Sequence, residues 1–207
     1  MNTSFVARLR RVAAFVFTLF LPLSLPAAVG SVHGIPNFQT VNEQLYRGGQ
    51  PTKDGFRELA AMGVTTVIDL RGEGGRSESE KKLVKSLGMR YVNIPMKSMR
   101  TPDGHDVNHA LKIMNGSDGP VFVHCRRGKD RTGAVVAAYR IQHDHWTNRE
   151  ALREARGYGM SWYQVPIQNY VRGYEPKEDD GAIGDQARGL TTKVADGASS
   201  ILDRIRK

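Results

Sequence analysis

The sequence predicts an α/β domain in which helices flank a central, mainly parallel sheet. Short apolar stretches rich in β-branched residues alternate with amphipathic stretches that end at glycine. This alternation is typical of parallel sheets, because neighbouring parallel strands require a long crossover that is usually helical. The length of 207 residues leaves room for a single domain of ordinary size, with shorter segments at both ends.

The first half of the domain contains three predicted strands and two predicted helices. The run Val64–Leu70 is apolar and β-branched, which is typical of a strand buried in a parallel sheet. Ser77 followed by Glu80 has the spacing of a capping box, so a helix is expected to begin there. The predicted elements are strands at Gln44–Tyr46, Val64–Leu70 and Met89–Ile94, and helices at Thr52–Met62 and from Ser77 to Gly88.

The second half continues the alternation and ends in helices. Pro95–Gly104 is expected to be a loop, and Thr147 is a favourable N-cap for a helix that follows it. The predicted elements are a helix at Asp106–Met114, a strand at Pro120–Val123, and helices at Arg131–His143, after Thr147 and near Gln164–Val171. These elements define a domain over residues 31–175.

Residues 1–30 have the layout of a secretory signal or an N-terminal membrane anchor. Three arginines precede the apolar run Val12–Leu21, and small residues follow it. The longer stretch Val12–Val29 could just span a bilayer, but its two prolines favour a cleaved signal, with the cut after Ala28 or Gly30, over an anchor. We therefore expect an exported chain, periplasmic or secreted, or a membrane-anchored one if the segment is not cleaved.

The composition limits the partners of the chain. A formal net charge of +9 favours encounters with anions, and the hydrophobic share of 40% is ordinary for a globular protein. Aromatic residues are not interleaved with the basic ones, so no nucleic-acid partner is expected. The single cysteine, Cys125, excludes an intramolecular disulfide.

Residues 176–207 are polar and predict a mobile tail. Ile201 and Ile205 lie four positions apart, which is the pattern of a weak amphipathic helix. Contact with a membrane surface is therefore considered for this basic tail and for the N-terminal segment.

The stretch VFVHCRRGKDRTG runs from a predicted strand into a predicted helix, and its part His124–Gly133 is called the phosphate loop here. In such a turn, successive backbone N–H groups point into one concavity that binds an anion. Gly128 supplies the backbone freedom of a tight turn, and Gly133 lets the helix pack closely. Arg131 follows Cys125 at a distance where its planar guanidinium can hold two phosphate oxygens.

The position of Cys125 predicts a reactive thiolate. The thiol lies at a helix N-terminus among basic residues, and both features lower its pKa below the ordinary value of about 8.5. A thiolate can attack phosphorus to form phosphocysteine, which water then hydrolyses, and Thr132 is expected to hydrogen-bond the departing sulfur. The residues expected to bind the substrate phosphate are Arg126, Arg127, Gly128, Lys129 and Thr132.

The phosphate loop resembles the signature of the cysteine-dependent protein tyrosine and dual-specificity phosphatase superfamily: His-Cys, two residues, Gly, two residues, then Arg and Ser or Thr. The stretches LYRGGQPT, TVIDLRGE and YVNIPM are similar to its compact atypical dual-specificity branch, so the resemblance spans about residues 40–172. It implies a phosphatase-like fold, Cys125 as the nucleophile, Arg131 as the phosphate-binding arginine, and neither a metal nor another cofactor.

The resemblance also implies the substrates, which are a phosphotyrosine or other phosphoprotein, or a phosphoinositide or inositol phosphate. Basic residues at Arg126 and Lys129 resemble those of phosphoinositide phosphatases, which bind a multiply phosphorylated ring. Basic residues occur at these places in protein phosphatases too, so both substrate classes stay open. A catalytically weak, phosphate-binding pseudophosphatase is the alternative function.

The general acid departs from the family pattern. Many members carry an aspartate about three residues after the proline that ends the preceding strand, and the matching position after Pro95 is Ser98. Some branches that share the string GKDR are proposed to use the aspartate inside the loop, which is Asp130 here. We therefore predict Asp130 as the acid, with Asp103 and Asp106 as alternatives.

Residues around the predicted site are expected to play supporting parts. Asp69 and Arg71 follow a predicted parallel strand, where ligands collect, and they are expected to brace the phosphate loop. The aromatic residues expected to pack between helices are Trp146, Trp162, Tyr163 and Tyr170.

Overall fold

The computed structural model describes residues 31–72 and 74–177, which form a five-stranded sheet with helices on both faces. The α/β class and the mainly parallel sheet predicted from the sequence are confirmed. The predicted signal or anchor at residues 1–30 lies outside the described residues, as do the predicted tail from residue 178 onwards and its terminal helix. Among the helices that are described, none has the length and hydropathy of a membrane span.

The elements alternate as predicted until the last three helices. The strands are β1 Gln39–Asn42, β2 Leu45–Gly48, β3 Thr66–Asp69, β4 Arg90–Asn93 and β5 Val121–His124. The helices are α1 Lys53–Ala61, α2 Gly75–Ser86, α3 Gly104–Asn115, α4 Asp130–Gln142, α5 Asn148–Gly157 and α6 Val165–Arg172.

Strand β5 lies in the middle of the sheet. The strand order is β1-β2-β5-β3-β4, and β1 is antiparallel to β2 whereas the other neighbours are parallel. His124 at the end of β5 pairs with Gly48 of β2 on one side and with Asp69 of β3 on the other. Three strands therefore end side by side, at the edge where parallel sheets bind their ligands.

Alternate residues of the central strands enter two separate cores. Val67 and Phe122 pack with α1 and α2 on one face, whereas Ile68 and Val123 pack with α3 to α6 on the other. All four side chains are fully buried, and burial of each contributes about 1.5–3 kcal/mol to folding. The strand ends are consequently held from both sides.

Helix α4 packs against the neighbouring helices so closely that its first turn requires glycine. A Cβ atom on Gly133 would lie 3.0 Å from Cε of Met160 and 3.5 Å from Cβ of Ala155. The close packing predicted for Gly133 is therefore confirmed. Because small residues fill most of α4, nearly the whole helix is buried beneath the sheet edge that carries the phosphate loop.

The start of helix α2 differs from the predicted capping box. It begins at Gly75 rather than at Ser77, and the Ser77 hydroxyl donates to the carbonyl of Gly74 at 2.8 Å within the first turn. Glu80 turns away from the helix start, because its carboxylate accepts a hydrogen bond from the Gln50 amide at 2.6 Å. Ser77 and Glu80 have the spacing of a capping box, but the Glu80 carboxylate binds Gln50, a residue distant in sequence, instead of capping the helix.

Two further boundaries differ from prediction. The sequence does not predict β1, because three of its four residues are polar and the strand lies at the sheet edge. Helix α3 begins before Asp106 because Asp103 caps it, accepting the His105 N–H on Oδ1 at 2.8 Å.

The predicted N-cap of α5 is confirmed and carries a stability prediction. Thr147 Oγ1 accepts the Glu150 N–H at 3.3 Å, and the Glu150 carboxylate accepts the Thr147 N–H at 2.9 Å. Thr147→Ala should lower the free energy of unfolding in urea by about 1 kcal/mol, whereas Thr147→Ser keeps the hydroxyl and should lose much less. Equal losses in both variants would contradict a capping role.

Candidate active site

The phosphate loop rests against the end of β2, and this contact requires glycine. Gly128 has a φ of +68°, and a Cβ atom there would lie 2.3 Å from the carbonyl carbon of Gly48 and 2.4 Å from the nitrogen of Gly49. The Gln50 N–H also donates to the carbonyl of Arg126 at 3.3 Å. The predicted need for backbone freedom at Gly128 is confirmed, and the close approach to β2 adds a second reason for it.

Beneath the loop lies a cavity of about 140 Å³, called the Cys125 cavity here. Its walls come from the phosphate loop, from the loop after β4 and from the start of α6. The lining residues are Ser98, Cys125, Arg126, Arg127, Asp130, Arg131, Gln164 and Ile167. Most of the predicted site residues are thus brought together around one small, polar space.

Cys125 is only 3% exposed, yet the environment of its sulfur favours the thiolate. Burial raises the pKa of the thiol, but hydrogen bonds from the hydroxyl and amide of Thr132, the Arg131 cation and the Arg127 amide outweigh it, and the pKa lies below its ordinary value. The Thr132 hydroxyl is fully buried and has no nitrogen or oxygen partner in the described chain, which leaves the sulfur as its acceptor.

Arg131 is oriented by backbone carbonyls from two neighbouring loops. Its Nη1 donates to Leu70 at 3.1 Å, just after β3, and to Met96 at 3.3 Å, after β4. The guanidinium lines the Cys125 cavity. Because Nη1 fixes the plane of the guanidinium, its other N–H groups can meet the oxygens of a bound phosphate without a further loss of freedom.

Asp130 is the carboxylate on the wall of the Cys125 cavity. It is 6% exposed, and its Oδ1 accepts the Ser161 N–H at 2.8 Å. Ser98, at the position where many relatives carry the acid, lines the same cavity and offers no carboxylate. Asp103 caps α3, and Asp106 lies in the first turn of that helix; neither lines the cavity.

The other basic residues of the loop divide into two groups. Arg126 and Arg127 are exposed and line the cavity. The aliphatic part of Lys129 instead lies along Gly159, where a Cβ atom would be 3.1 Å from Lys129 Cε. Lys129 therefore lies outside the cavity wall to which it was assigned as a substrate-binding residue.

Gln164 and Ile167 complete the cavity, and no sequence pattern predicts either of them as a site residue. They come from the start of α6, about forty residues after the nucleophile. Nothing in their local sequence distinguishes them from ordinary helix residues. The contact depends on how α6 packs against α4, which a local pattern does not encode.

An ionic network supports the start of the phosphate loop. Arg71 donates to Asp69 at 2.7 Å and to Glu80 at 2.5 Å. The other Glu80 oxygen lies 2.8 Å from Nε2 of His124, the residue before the nucleophile. Asp69 and Arg71 therefore brace the loop as expected, through a glutamate that the sequence analysis assigned to a helix cap.

The same network resembles a metal cluster only in its spacing. Ligand atoms of Asp69, Glu80 and His124 lie within 4.8 Å of one another. Burial raises the pKa of Asp69, but hydrogen bonds from Arg71 outweigh it and keep the pKa low. Arg71 donates to both carboxylates, so the chain's own cation already occupies this cluster and compensates part of its negative charge.

A second cavity of about 690 Å³ adjoins the first and is called the arginine cavity. It shares Arg126 and Arg131 with the Cys125 cavity and adds Arg71 and Arg76. Arg76 is exposed, and the structure pairs it with no carboxylate in the described chain. Positive charge thus extends from the phosphate loop towards the start of α2.

The prediction that four aromatic residues pack between helices is half wrong. Trp146 and Tyr170 pack against the core, but Trp162 is 85% exposed and Tyr163 is 45% exposed. Their segment is held to the phosphate loop because Asp130 accepts the Ser161 N–H. The two rings therefore lie in solvent on a segment that adjoins the Cys125 cavity.

Residues 30–172 match the model of a protein family that is described as DSP-PTPase phosphatase fused to NAD+ kinase. The dual specificity protein phosphatase TpbA of Pseudomonas aeruginosa is 28% identical over 152 residues, which are 72% of this chain and 67% of TpbA. The inositol diphosphatase DSP5 of Arabidopsis thaliana is 30% identical over 138 residues, which are 64% of this chain and 67% of DSP5.

Solved structures agree with this assignment. The crystal structure of P. aeruginosa TpbA has a TM-score of 0.61 and 27% identity, and the match covers 72% of this chain and 92% of that one. The catalytic core of the PP-IP phosphatase SIW14 from Saccharomyces cerevisiae has a TM-score of 0.65 at 22% identity, covering 76% and 96%, and supports the fold. The chain therefore belongs to the DSP-PTPase phosphatase family and is a cysteine-dependent phosphatase of the dual-specificity type.

Proposed function

We propose that this phosphatase hydrolyses phosphomonoesters through a phosphocysteine intermediate on Cys125. The observation that carries the proposal is a buried sulfur of lowered pKa on the wall of a small cavity lined by Arg126, Arg127 and Arg131. A thiolate and a phosphate dianion repel each other in the open. Here the arginines and the loop amides compensate both charges, so attack becomes feasible.

The reaction has two steps, and Asp130 acts in both. In the first, the Cys125 sulfur bonds to phosphorus, the bond from phosphorus to the leaving oxygen breaks, and the Asp130 carboxyl gives that oxygen its proton. In the second, the Asp130 carboxylate takes a proton from water, the water oxygen bonds to phosphorus, and the thiolate leaves. Arg131 holds the equatorial oxygens throughout, and the Thr132 hydroxyl stabilises the departing sulfur.

Three observations support Asp130 as the general acid. Its carboxyl group lines the cavity, and the Ser161 N–H fixes Oδ1, so that Oδ2 is the oxygen left to carry the proton. Ser98 cannot serve as an acid. Asp103 would have to give up its capping bond to His105 to reach the cavity.

The substrate classes are phosphoproteins, phosphotyrosine among them, and phosphoinositides or inositol phosphates. TpbA is named a dual specificity protein phosphatase and is solved in complex with pTyr, whereas DSP5 is named an inositol diphosphatase. The arginine cavity supports a substrate with a second phosphate, because it continues the positive charge of the first site. The exposed rings of Trp162 and Tyr163 support an aromatic or peptide substrate.

A pseudophosphatase that binds phosphate without turnover is the second candidate. It is favoured by the Asp130 bond to Ser161, because that bond alone would explain a buried aspartate as a brace. The two candidates differ in whether phosphate is released.

We also propose that the chain is exported, periplasmic or secreted, or anchored to a membrane if residues 1–30 are retained. The support is the sequence of that segment alone. Contact of the basic tail with a membrane surface rests in the same way on the sequence.

Phosphate release by three proteins tests the mechanism. Cys125→Ser should release no phosphate from any substrate, because serine at this site is not ionised. Asp130→Asn, which keeps an acceptor for the Ser161 N–H, should lose about 100-fold or more on alkyl phosphates and less than about tenfold on p-nitrophenyl phosphate, whose leaving group needs little protonation.

The controls separate enzyme, brace and binding module. Circular dichroism should show that both variants fold like the wild type. Equal losses of Asp130→Asn on both substrates would mean that Asp130 is a brace rather than the acid. Phosphate binding by the wild type without release from any of phosphopeptides, phosphoinositides and inositol phosphates would establish the pseudophosphatase.

Removal of one positive charge from the arginine cavity tests the substrate class. Arg76→Ala should lower kcat/KM about five- to tenfold for an inositol ring with neighbouring phosphates and less than about twofold for p-nitrophenyl phosphate, because only the former reaches the second cavity. Arg149→Ala removes the same charge from α5, outside both cavities, and should change neither value. Equal effects of Arg76→Ala on both substrates would refute a second phosphate site.

A further inference from the structure

Arg47 is a fully buried arginine on β2 whose charge has no ion-pair partner in the described chain. Its Nη2 donates to the carbonyl of Gly128 at 2.9 Å, and its guanidinium lies 4.8 Å from the ring centre of Tyr158. Nε and Nη1 are buried without a hydrogen-bond partner among the described residues. An arginine with two unmet donors and no carboxylate is unusual inside a protein.

This arrangement is costly for folding. Burial disfavours the charged guanidinium and lowers the pKa of Arg47 to about 10, against the opposing influence of Glu154, Tyr158 and Cys125. The cation still persists at neutral pH, since that pKa is well above 7. A buried charge without a partner destabilises the fold relative to an apolar side chain of similar size.

Among the neighbouring charged groups, Glu154 attracts the Arg47 cation most strongly, but it forms no ion pair with Arg47. Glu154 of α5 is engaged by Arg140 of α4, which donates to it at 2.8 Å. Arg140 itself is a further positive charge facing Arg47. The Cys125 thiolate, which directly follows the neighbouring strand β5, is a further negative group that attracts the Arg47 cation.

Arg47 also fixes one peptide of the phosphate loop. The carbonyl of Gly128 accepts from Arg47 Nη2 and from Asn37 Nδ2, both at 2.9 Å. In a planar trans peptide the C=O and the following N–H point in opposite directions. Holding this carbonyl on the side of Arg47 therefore turns the Lys129 N–H to the other side of the loop.

We infer that Arg47 is a positioning residue, which orients the Gly128 peptide and supplies positive charge without an ion-pair partner behind the phosphate loop, so that the Cys125 thiolate is stabilised. The inference rests on the proposed function, in which that thiolate is the nucleophile. A carboxylate beside Arg47 would lower the cost of burial, but it would also cancel the charge that the sulfur experiences. The need for a stable thiolate, rather than the stability of the fold, thus explains why Arg47 has no carboxylate partner among the described residues.

The test measures the thiolate directly, because Cys125 is the only cysteine of the chain. The rate of alkylation by iodoacetamide is followed against pH in the full chain, together with kcat/KM for p-nitrophenyl phosphate and the thermal midpoint. Arg47→Met removes the charge, Arg47→Lys keeps it, and Asn37→Gly removes the neutral side-chain donor to the Gly128 carbonyl together with its second bond, to the Tyr158 carbonyl at 3.0 Å. Glycine accepts the positive φ of 52° at Asn37.

Arg47→Met should raise the alkylation midpoint by about one pH unit and lower kcat/KM about 10- to 100-fold. Its thermal midpoint should stay or rise, since an apolar side chain replaces an unpaired charge. Arg47→Lys and Asn37→Gly should keep the alkylation midpoint within a few tenths of a unit of the wild type. A merely structural arginine would give the opposite pattern, a lower thermal midpoint with an unchanged alkylation midpoint, and that result would overturn the inference.

Two further outcomes also decide it. If Asn37→Gly shifted the alkylation midpoint as much as Arg47→Met, the charge would not be the cause and the inference would fail. If Arg47→Met did not fold, Arg47→Gln, which keeps a donor without the charge, would have to show the same shift. Because alkylation needs no turnover, an inactive wild type with a low midpoint would refute the proposed function but not the role of Arg47.

Discussion

The structure depends on keeping a negative charge on a sulfur that water barely reaches. Burial alone would protonate Cys125, so the thiolate exists only while Thr132, the loop amides and Arg131 outweigh the loss of solvent. Those groups converge only if the loop keeps its shape, and its shape depends on Gly128 lying within contact of β2. The Cys125 thiolate is therefore stable only while the phosphate loop, at the end of β5, stays in close backbone contact with the end of β2.

The rest of the fold supports that approach from several directions. The register places the ends of β2, β3 and β5 side by side, so residues far apart in sequence meet under one loop. The network of Asp69, Arg71 and Glu80 fixes His124 from the side of β3. Arg47 acts from the side of β2, and the packing of α4 holds the loop's far end. Each support also contributes charge, which explains why the site is rich in ions that contribute little to folding.

The sequence predicts those parts of the site that are local. The phosphate loop is one continuous segment, so spacing alone identifies Cys125, Gly128 and Arg131, and the alternation of strands and helices identifies the sheet. The sequence does not predict a role for Arg47, because an arginine in a short strand is expected to be exposed to solvent. The role of Glu80 is predicted wrongly because its spacing from Ser77 matches a capping box, whereas its partners Gln50, Arg71 and His124 are brought to it by the fold. Gln164 and the exposed Trp162 depend on how α6 packs, which no local pattern encodes.

The central claim is that phosphate passes through the sulfur of Cys125. Rapid acid quenching of the wild type during turnover of a phosphate-labelled substrate, followed by peptide mapping, tests it most directly. The account predicts one phosphoryl group on the peptide that contains Cys125, and none on the corresponding peptide of Cys125→Ser. Turnover at the full rate with no label on that peptide would contradict it, because phosphate would then go to water without a covalent intermediate.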